Sequence, residues 1–267
     1  MFFLPYGDEN PTARTPYVNY MFIALNTILF LGLGYSSLYP DIINKFAFTP
    51  SVATPYTYIT SAFLHGDFFH LFGNMLYLYI AGDNVEDKLG HVGYFVFFLL
   101  GAAAANLFHM NMVSGQMLNI PTLGASGAVS AVLGAYIVLF PKNKIKFFYF
   151  FIIFFFIRLG TVKIASFWAI GLWFILQLFS HTSSRGYAPV AYGAHIGGFI
   201  VGVIIVGLLV ITGVISAHWK KEKNYNDILL EDFDWGKGNA TSEGADFKQD
   251  GTYRGMDDRY TRDDYKY

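Results

Sequence analysis

Six apolar stretches recur along this chain, at about 18–38, 69–84, 92–110, 124–140, 164–180 and 190–217, and they dictate its solvent. A helix needs about 20 apolar residues to cross a bilayer, and shorter ones are tolerated where lipid or helix adjusts. Only 14% of the residues are charged and 54% are hydrophobic, whereas a soluble domain is nearer a quarter charged. The pattern predicts an all-α polytopic membrane protein. A seventh run, Phe147 to Ile157, is rich in Phe but too short to span. It is expected to lie in the interface or to form the head of the fifth helix.

Basic residues set the orientation. With the N-terminus inside, six spans place Arg14, Lys88, Lys142, Lys144, Lys146, Arg158 and Lys163 on the cytoplasmic side, together with Lys220, Lys221 and Lys223. Lys45 and Arg185 alone fall outside. Positive charge collects on cytoplasmic loops, so the count predicts six transmembrane helices with both termini in the cytoplasm. A seventh span would push the 220–223 cluster outside. Three regions follow: a short cytoplasmic arm at 1–16, a membrane domain at 17–217 and a tail at 218–267. The tail is too polar to bury a core and is expected to be disordered. Met1 to Pro16 lacks the layout of a removable signal peptide. The expected setting is multi-pass, in the plasma membrane of a prokaryote. A net charge of -1 gives no case for a nucleic-acid partner, and the lack of Cys excludes a thiol nucleophile and disulfides.

In this topology spans two, four and six share a direction, and their outer ends carry His70 and Asn74, then Ser126, then His195. Polar groups are costly in hydrocarbon, so those that persist there are functional candidates. Ser126 and His195 are the parts of a nucleophile and its base. From Ser126 to Phe140, before Pro141 and Lys142, a helix would cover about 22 Å of a core roughly 30 Å thick. Ser126 is thereby expected roughly 8 Å beneath the outer surface, in a water-filled dent. The sixth span presents a difficulty. From His195 to Lys220 it would rise roughly 37 Å, so it is expected to tilt or to run past the inner interface near Ala217 to Trp219.

Gly124 permits a tight entry turn, and Gly127 removes a side chain beside Ser126. Gly127, Ala131 and Gly134 form a small-residue face, matched by Gly198 and Gly202 below His195. Such faces let helices approach closely, as a Ser126–His195 hydrogen bond requires. The same Gly-Ala-Ser-Gly could serve packing alone. Free N–H groups at the helix start favour an oxyanion, and His70 and Asn74, four apart on one face, could add donors. Alternatively these two satisfy each other as polar glue between helices. His65 is read as bland, and His91, His109, His181 and His218 receive no role. Between Asp87 and Glu222 there is no Asp or Glu, so a Ser126–His195 dyad without an acidic third member is expected. There is no His-Glu-x-x-His zinc motif and no pair of embedded aspartates. Neither a metal nor a cofactor is called for.

The stretches His65-Gly66-Asp67-Phe68-Phe69-His70-Leu71-Phe72-Gly73-Asn74, Gly124-Ala125-Ser126-Gly127 and Ala194-His195-Ile196-Gly197-Gly198-Phe199-Ile200-Val201-Gly202 resemble the rhomboid family of intramembrane serine proteases. The resemblance covers about residues 55 to 205. It implies a six-helix rhomboid-type bundle, Ser126 as nucleophile, His195 as general base and acid, and His70 with Asn74 as the oxyanion-stabilising pair. Asp83 to Glu86 resembles a stretch that steadies the fold. Two departures stand out: Ser130 where some members carry a Tyr that packs on the histidine, and Tyr56-Thr57 where some have Trp-Arg. The implied function is a serine endopeptidase that cleaves transmembrane proteins entering from the surrounding lipid. A non-catalytic rhomboid-like binder of membrane segments and a small transporter are the alternatives. The absence of a visible internal repeat weighs against the transporter.

Overall fold

The computed structural model describes residues 2–153, 156–184 and 190–217. The protein is mostly helical. Its described helices are α1 (Tyr17–Leu33), α2 (Tyr39–Phe46), α3 (Thr57–Thr60), α4 (Phe68–Tyr77), α5 (Asp83–Met112), α6 (Ser126–Leu139), α7 (Ser166–Ser184) and α8 (Tyr192–Ile211). A single π-helical turn, Leu78–Gly82, joins α4 to α5. Two helical runs, Phe68–Met112 and Tyr192–Ile211, are long and apolar enough to cross a membrane. The first is broken at Gly90, whose φ of 70° and ψ of 165° end one arm of α5 and begin another. That left-handed φ suits glycine, because a Cβ would strain it.

The centre of the fold is set by where side chains are missing. A Cβ on Gly198 would overlap the carbonyl of Gly127, and one on Gly202 would overlap the backbone of Ala131. Gly134 likewise meets the backbone of Phe199 and Val203. Both members of these contacts advance together along the chain, so α6 and α8 run parallel with Ser126 and His195 at the same end. Gly101 lies against Ala131 while Ala105 lies against Gly127, so α5 runs antiparallel to α6. Gly193 and Gly197 rest on His109 and Phe108 of the same helix. Around this close-packed trio, Tyr94, Phe98, Val132 and Tyr136 are almost wholly buried. The small-residue faces expected of Gly127, Ala131, Gly134, Gly198 and Gly202 therefore meet as drawn.

The stretch from Asp83 to Glu86 anchors α1. Glu86, buried in the core, accepts the free backbone N–H groups of Val18 and Asn19 at 3.0 and 2.7 Å. A carboxylate at a helix start satisfies orphan donors and complements the positive dipole end. Asn19 then donates to the Leu78 carbonyl at 2.9 Å and accepts from Tyr94 at 2.8 Å. His91 closes the cluster on Glu86 at 2.5 Å.

Two sequence expectations need correction. The Phe-rich run is not the head of the fifth helix. It belongs to a hairpin of β2 (Lys144–Ile153) and β3 (Phe156–Ala165), and β1 (Phe2–Asp8) completes a three-stranded antiparallel sheet in the order β1-β2-β3. The fold is thus not all-α. Phe, Tyr and Ile fit a pleated surface well, and Phe3 stacks on Phe147 across the sheet at 4.6 Å. The second correction concerns the sixth span. Instead of continuing to Lys220, α8 stops at Ile211, just before a turn at Gly213 with φ 76°. From His195 to Ile211 the helix rises about 24 Å, close to the roughly 20 Å of α6. No tilt is needed to keep His195 level with Ser126. The tail at 218–267 lies outside the described residues.

The Gly202→Ala variant should lose about 1–3 kcal/mol of stability or more, because the Ala131 backbone cannot yield to the added methyl. Gly207→Ala, on the same helix with nothing within 4 Å of the new atom, should lose none. Thermal midpoints in detergent check both, and equal midpoints would contradict the close approach.

Candidate active site

Ser126 opens α6, and the irregular backbone that delivers it is tied down by hydrogen bonds to the first loop. Phe48 and Thr122 exchange both backbone hydrogen bonds, at 2.9 and 2.7 Å, and the Gly124 N–H donates to the Ser61 carbonyl at 2.9 Å. Non-helical chain inside a membrane is tolerated where it is buried in protein or lines a watery cavity. Gly124 has φ 122°, and a Cβ there would strike the His70 ring at 2.5 Å and approach Asn74 Nδ2 at 3.6 Å. The glycine thus lets His70 and Asn74 come up against the backbone that precedes Ser126. The Ser130 hydroxyl donates back to the Ser126 carbonyl at 2.6 Å.

His195 sits on the first turn of α8, half-buried and braced by α7. Its Nδ1 is 2.8 Å from Gln177 Oε1. The Trp173 ring lies over it at 6.1 Å with 30° between planes, and Tyr192 meets it edge-on at 6.2 Å. Among the described residues no hydrogen bond joins Ser126 Oγ to His195, so that expected contact is not made here. Both residues nevertheless line one cavity of about 670 Å³, which His70 and Asn74 also line. Catalytic hydrogen bonds are often long in the unliganded state and tighten only around substrate.

The alternative reading of the α4 pair, in which the two side chains satisfy each other, is not met. His70 and Asn74 do not bond each other. Asn74 Nδ2 is 3.0 Å from Nε2 of His65, whose ring stands edge-on to His70 at 5.2 Å. His65 itself is clamped by Tyr39, whose hydroxyl donates to the His65 carbonyl at 2.6 Å and accepts its N–H at 3.0 Å. Asp67 caps α4 by accepting the His70 N–H at 2.9 Å. A chain of contacts thus runs from the first loop to Asn74. His65, read as bland, is part of it. His109 and His181, given no role, line the cavity as well. The spacing His65–His70–Asn74 was visible in the sequence, but a loop position gave no sign that His65 folds inward. Gln177 had a signal: it is the lone amide in an apolar helix, and the cost of burying it there is the criterion that marked Ser126 and His195. Among the described residues no cluster of three or more His, Cys, Asp or Glu could hold a metal ion.

In chemical terms, this cavity brings a hydroxyl at a helix N-terminus, an imidazole from a parallel helix and an amide with a second imidazole from a third. Such a set can deliver an oxygen nucleophile, remove its proton and hydrogen-bond a developing oxyanion.

Burial holds His65 neutral, with its pKa lowered from 6.5 to about 3. An unfolded chain takes up this proton near pH 6.5 and the folded one only near 3, so the folded state binds fewer protons in between. Its contribution to stability is complete above about 6.5 and is lost as pH falls toward 3. Between pH 6.5 and 4 the wild-type thermal midpoint should fall more steeply than that of His65→Gln, which keeps an amide near Asn74 but does not titrate. Parallel curves would contradict this.

The family model for the rhomboid domain matches residues 53–212. The mitochondrial Rhomboid protein 1 of Saccharomyces cerevisiae is 35% identical over 155 residues, 57% of this chain and 41% of the relative. The chloroplastic Rhomboid-like protein 11 of Arabidopsis thaliana is 32% identical over 167 residues, 58% of this chain and 52% of the relative. The chain thus spans about half the length of the curated relatives it matches. The family model covers more than half of the chain and includes α4, α6 and α8, the helices that carry the four cavity residues. This chain belongs to the rhomboid family.

Proposed function

We propose that the protein is an intramembrane serine endopeptidase in which Ser126 and His195 act as a dyad. The observation that supports this most is the shared cavity of Ser126, His195, His70 and Asn74, with Ser126 and His195 held at one end of parallel α6 and α8 in glycine-to-backbone contact. His195 Nε2 takes the Ser126 proton as Oγ attacks the scissile carbonyl of the substrate. The tetrahedral oxyanion accepts hydrogen bonds from the backbone N–H groups at the start of α6 and from His70 and Asn74. His195 then gives the proton to the leaving amine, an acyl-enzyme remains, and water from the cavity releases it. Suitable substrates are transmembrane segments entering from lipid, which must unwind locally because a helix occupies its own carbonyls.

The same reading includes six spans with both termini in the cytoplasm and the cavity open to the outer side. The break at Gly90 supports the count, since it divides Phe68–Met112 into two arms. The antiparallel run of α5 against α6 and α8 supports the alternation. The relatives named above are mitochondrial and chloroplastic, which lends no support to the prokaryotic plasma membrane expected from the sequence.

Ser126→Ala and His195→Ala should each abolish cleavage of a model membrane substrate by the purified full chain, with thermal midpoints unchanged. His70→Ala and Asn74→Ala should each lower kcat about 10²–10³-fold. If the wild type binds such segments without cutting them, the protein is the non-catalytic binder instead. Topology is tested separately: reporter fusions after Tyr39, Val113 and Ser183 should report outside, and those after Asp87, Lys142 and His218 inside. A C-terminal reporter found outside would refute the six-span arrangement.

A further inference from the structure

We infer that Gln177 of α7 is a positioning residue that fixes the tautomer of His195, standing where an acidic residue would complete a Ser-His-Asp triad. The inference rests on the proposed hydrolase reading and adds to it a neutral third member, where the acid-free stretch from Asp87 to Glu222 offers no carboxylate.

The two ends of the Gln177 amide are committed to different partners. Its Nε2 points at the Trp173 carbonyl, one turn back on its own helix, at 3.4 Å. That carbonyl can only accept, so the amide nitrogen belongs on this side and Oε1 belongs on the other, 2.8 Å from His195 Nδ1. An amide oxygen cannot donate. Nδ1 must therefore carry the proton, which leaves Nε2 as the unprotonated nitrogen. Holding a base in the right tautomer and orientation is the task of the aspartate in a serine triad. A neutral acceptor performs it without a buried charge, which in an apolar helix would be costly.

Trp173 and Gln177 lie four apart and so share one face of α7. The Trp173 ring faces the imidazole at 6.1 Å while the Gln177 amide holds its edge. Ser130, where some family members carry a Tyr against the histidine, bonds to the Ser126 carbonyl instead. The platform under His195 has therefore been supplied by α7 rather than α6.

The other titratable groups facing the cavity are His70 and Tyr77 on α4, His109 on α5, His181 on α7, Tyr192 on α8 and Asp67 at the start of α4. His181 lies one turn from 177 on α7, so the pH profiles are compared in a His181→Gln background, where a shift on substitution at 177 reports the Gln177–His195 contact.

The test compares wild type, Gln177→Met and Gln177→Glu as full chains cleaving a model transmembrane substrate. Gln177→Met keeps the length of the side chain and removes the acceptor. It should lower kcat about tenfold with KM unchanged, the loss expected of one orienting hydrogen bond. Gln177→Glu should retain cleavage and move the acid limb of kcat/KM to higher pH, because a carboxylate favours the imidazolium. Wild-type kcat in Gln177→Met, or a lost activity in Gln177→Met with an unmoved acid limb in Gln177→Glu, would overturn the inference. A wild type that does not cleave, or a Ser126→Ala variant that does, would count against the hydrolase reading itself.

Discussion

The contact between α6 and α8 decides the rest of the molecule. At Gly127 against Gly198 and at Ala131 against Gly202, one helix rests on the backbone of the other without an intervening side chain. In lipid there is no hydrophobic gain from bringing two apolar helices together, so close backbone approach and the dispersion contacts it allows must supply the association. Because the two helices run parallel and pair from their first turns, the residues at their starts are held at one level. A serine and a histidine placed there face the same cavity. Antiparallel packing of the same two surfaces would have sent them to opposite ends.

Around that pair several buried polar groups are tied to local partners, as an apolar solvent favours. Glu86 neutralises the free N–H groups of α1 from a neighbouring helix. Phe48 and Thr122 pair the loop that brings the chain to Ser126. Tyr39 holds His65, and His65 in turn holds Asn74. The first loop is thus a structural part of the site, tied by hydrogen bonds to the helix that would stabilise an oxyanion. The π-helical turn between α4 and α5 belongs to the same economy, since the Leu78 carbonyl there receives the Asn19 amide.

That Ser126, His195, His70 and Asn74 would meet at one cavity could be anticipated from the sequence, because polar groups among apolar runs are few and these lie near helix starts. The glycine faces were equally plain, since a gap of four residues is one helical turn. Other features were not, for identifiable reasons. An apolar Phe-rich run reads alike as interfacial helix or strand when only its hydrophobicity is weighed. The pairing of Phe147 with Val162 and Pro5 that settles it is non-local. The end of α8 turned on one glycine at 213 adopting a left-handed φ, among several glycines in that stretch that do not. His65 was set aside for its place in a loop, although its partner Asn74 lies only nine residues on. Gln177 carries no carboxylate to mark it as a third member in the sequence, whereas the role requires only an acceptor.

The central claim is that Ser126 is activated by His195 within this cavity. A fluorophosphonate reacts with an activated serine and not with an ordinary hydroxyl, so labelling of the purified full chain, mapped by mass spectrometry, addresses it directly. The account predicts one adduct, on Ser126, in the wild type, and none above background in a folded His195→Ala variant. Equal labelling of Ser126 in both proteins, or a folded wild type in which Ser126 stays unmodified, would contradict it.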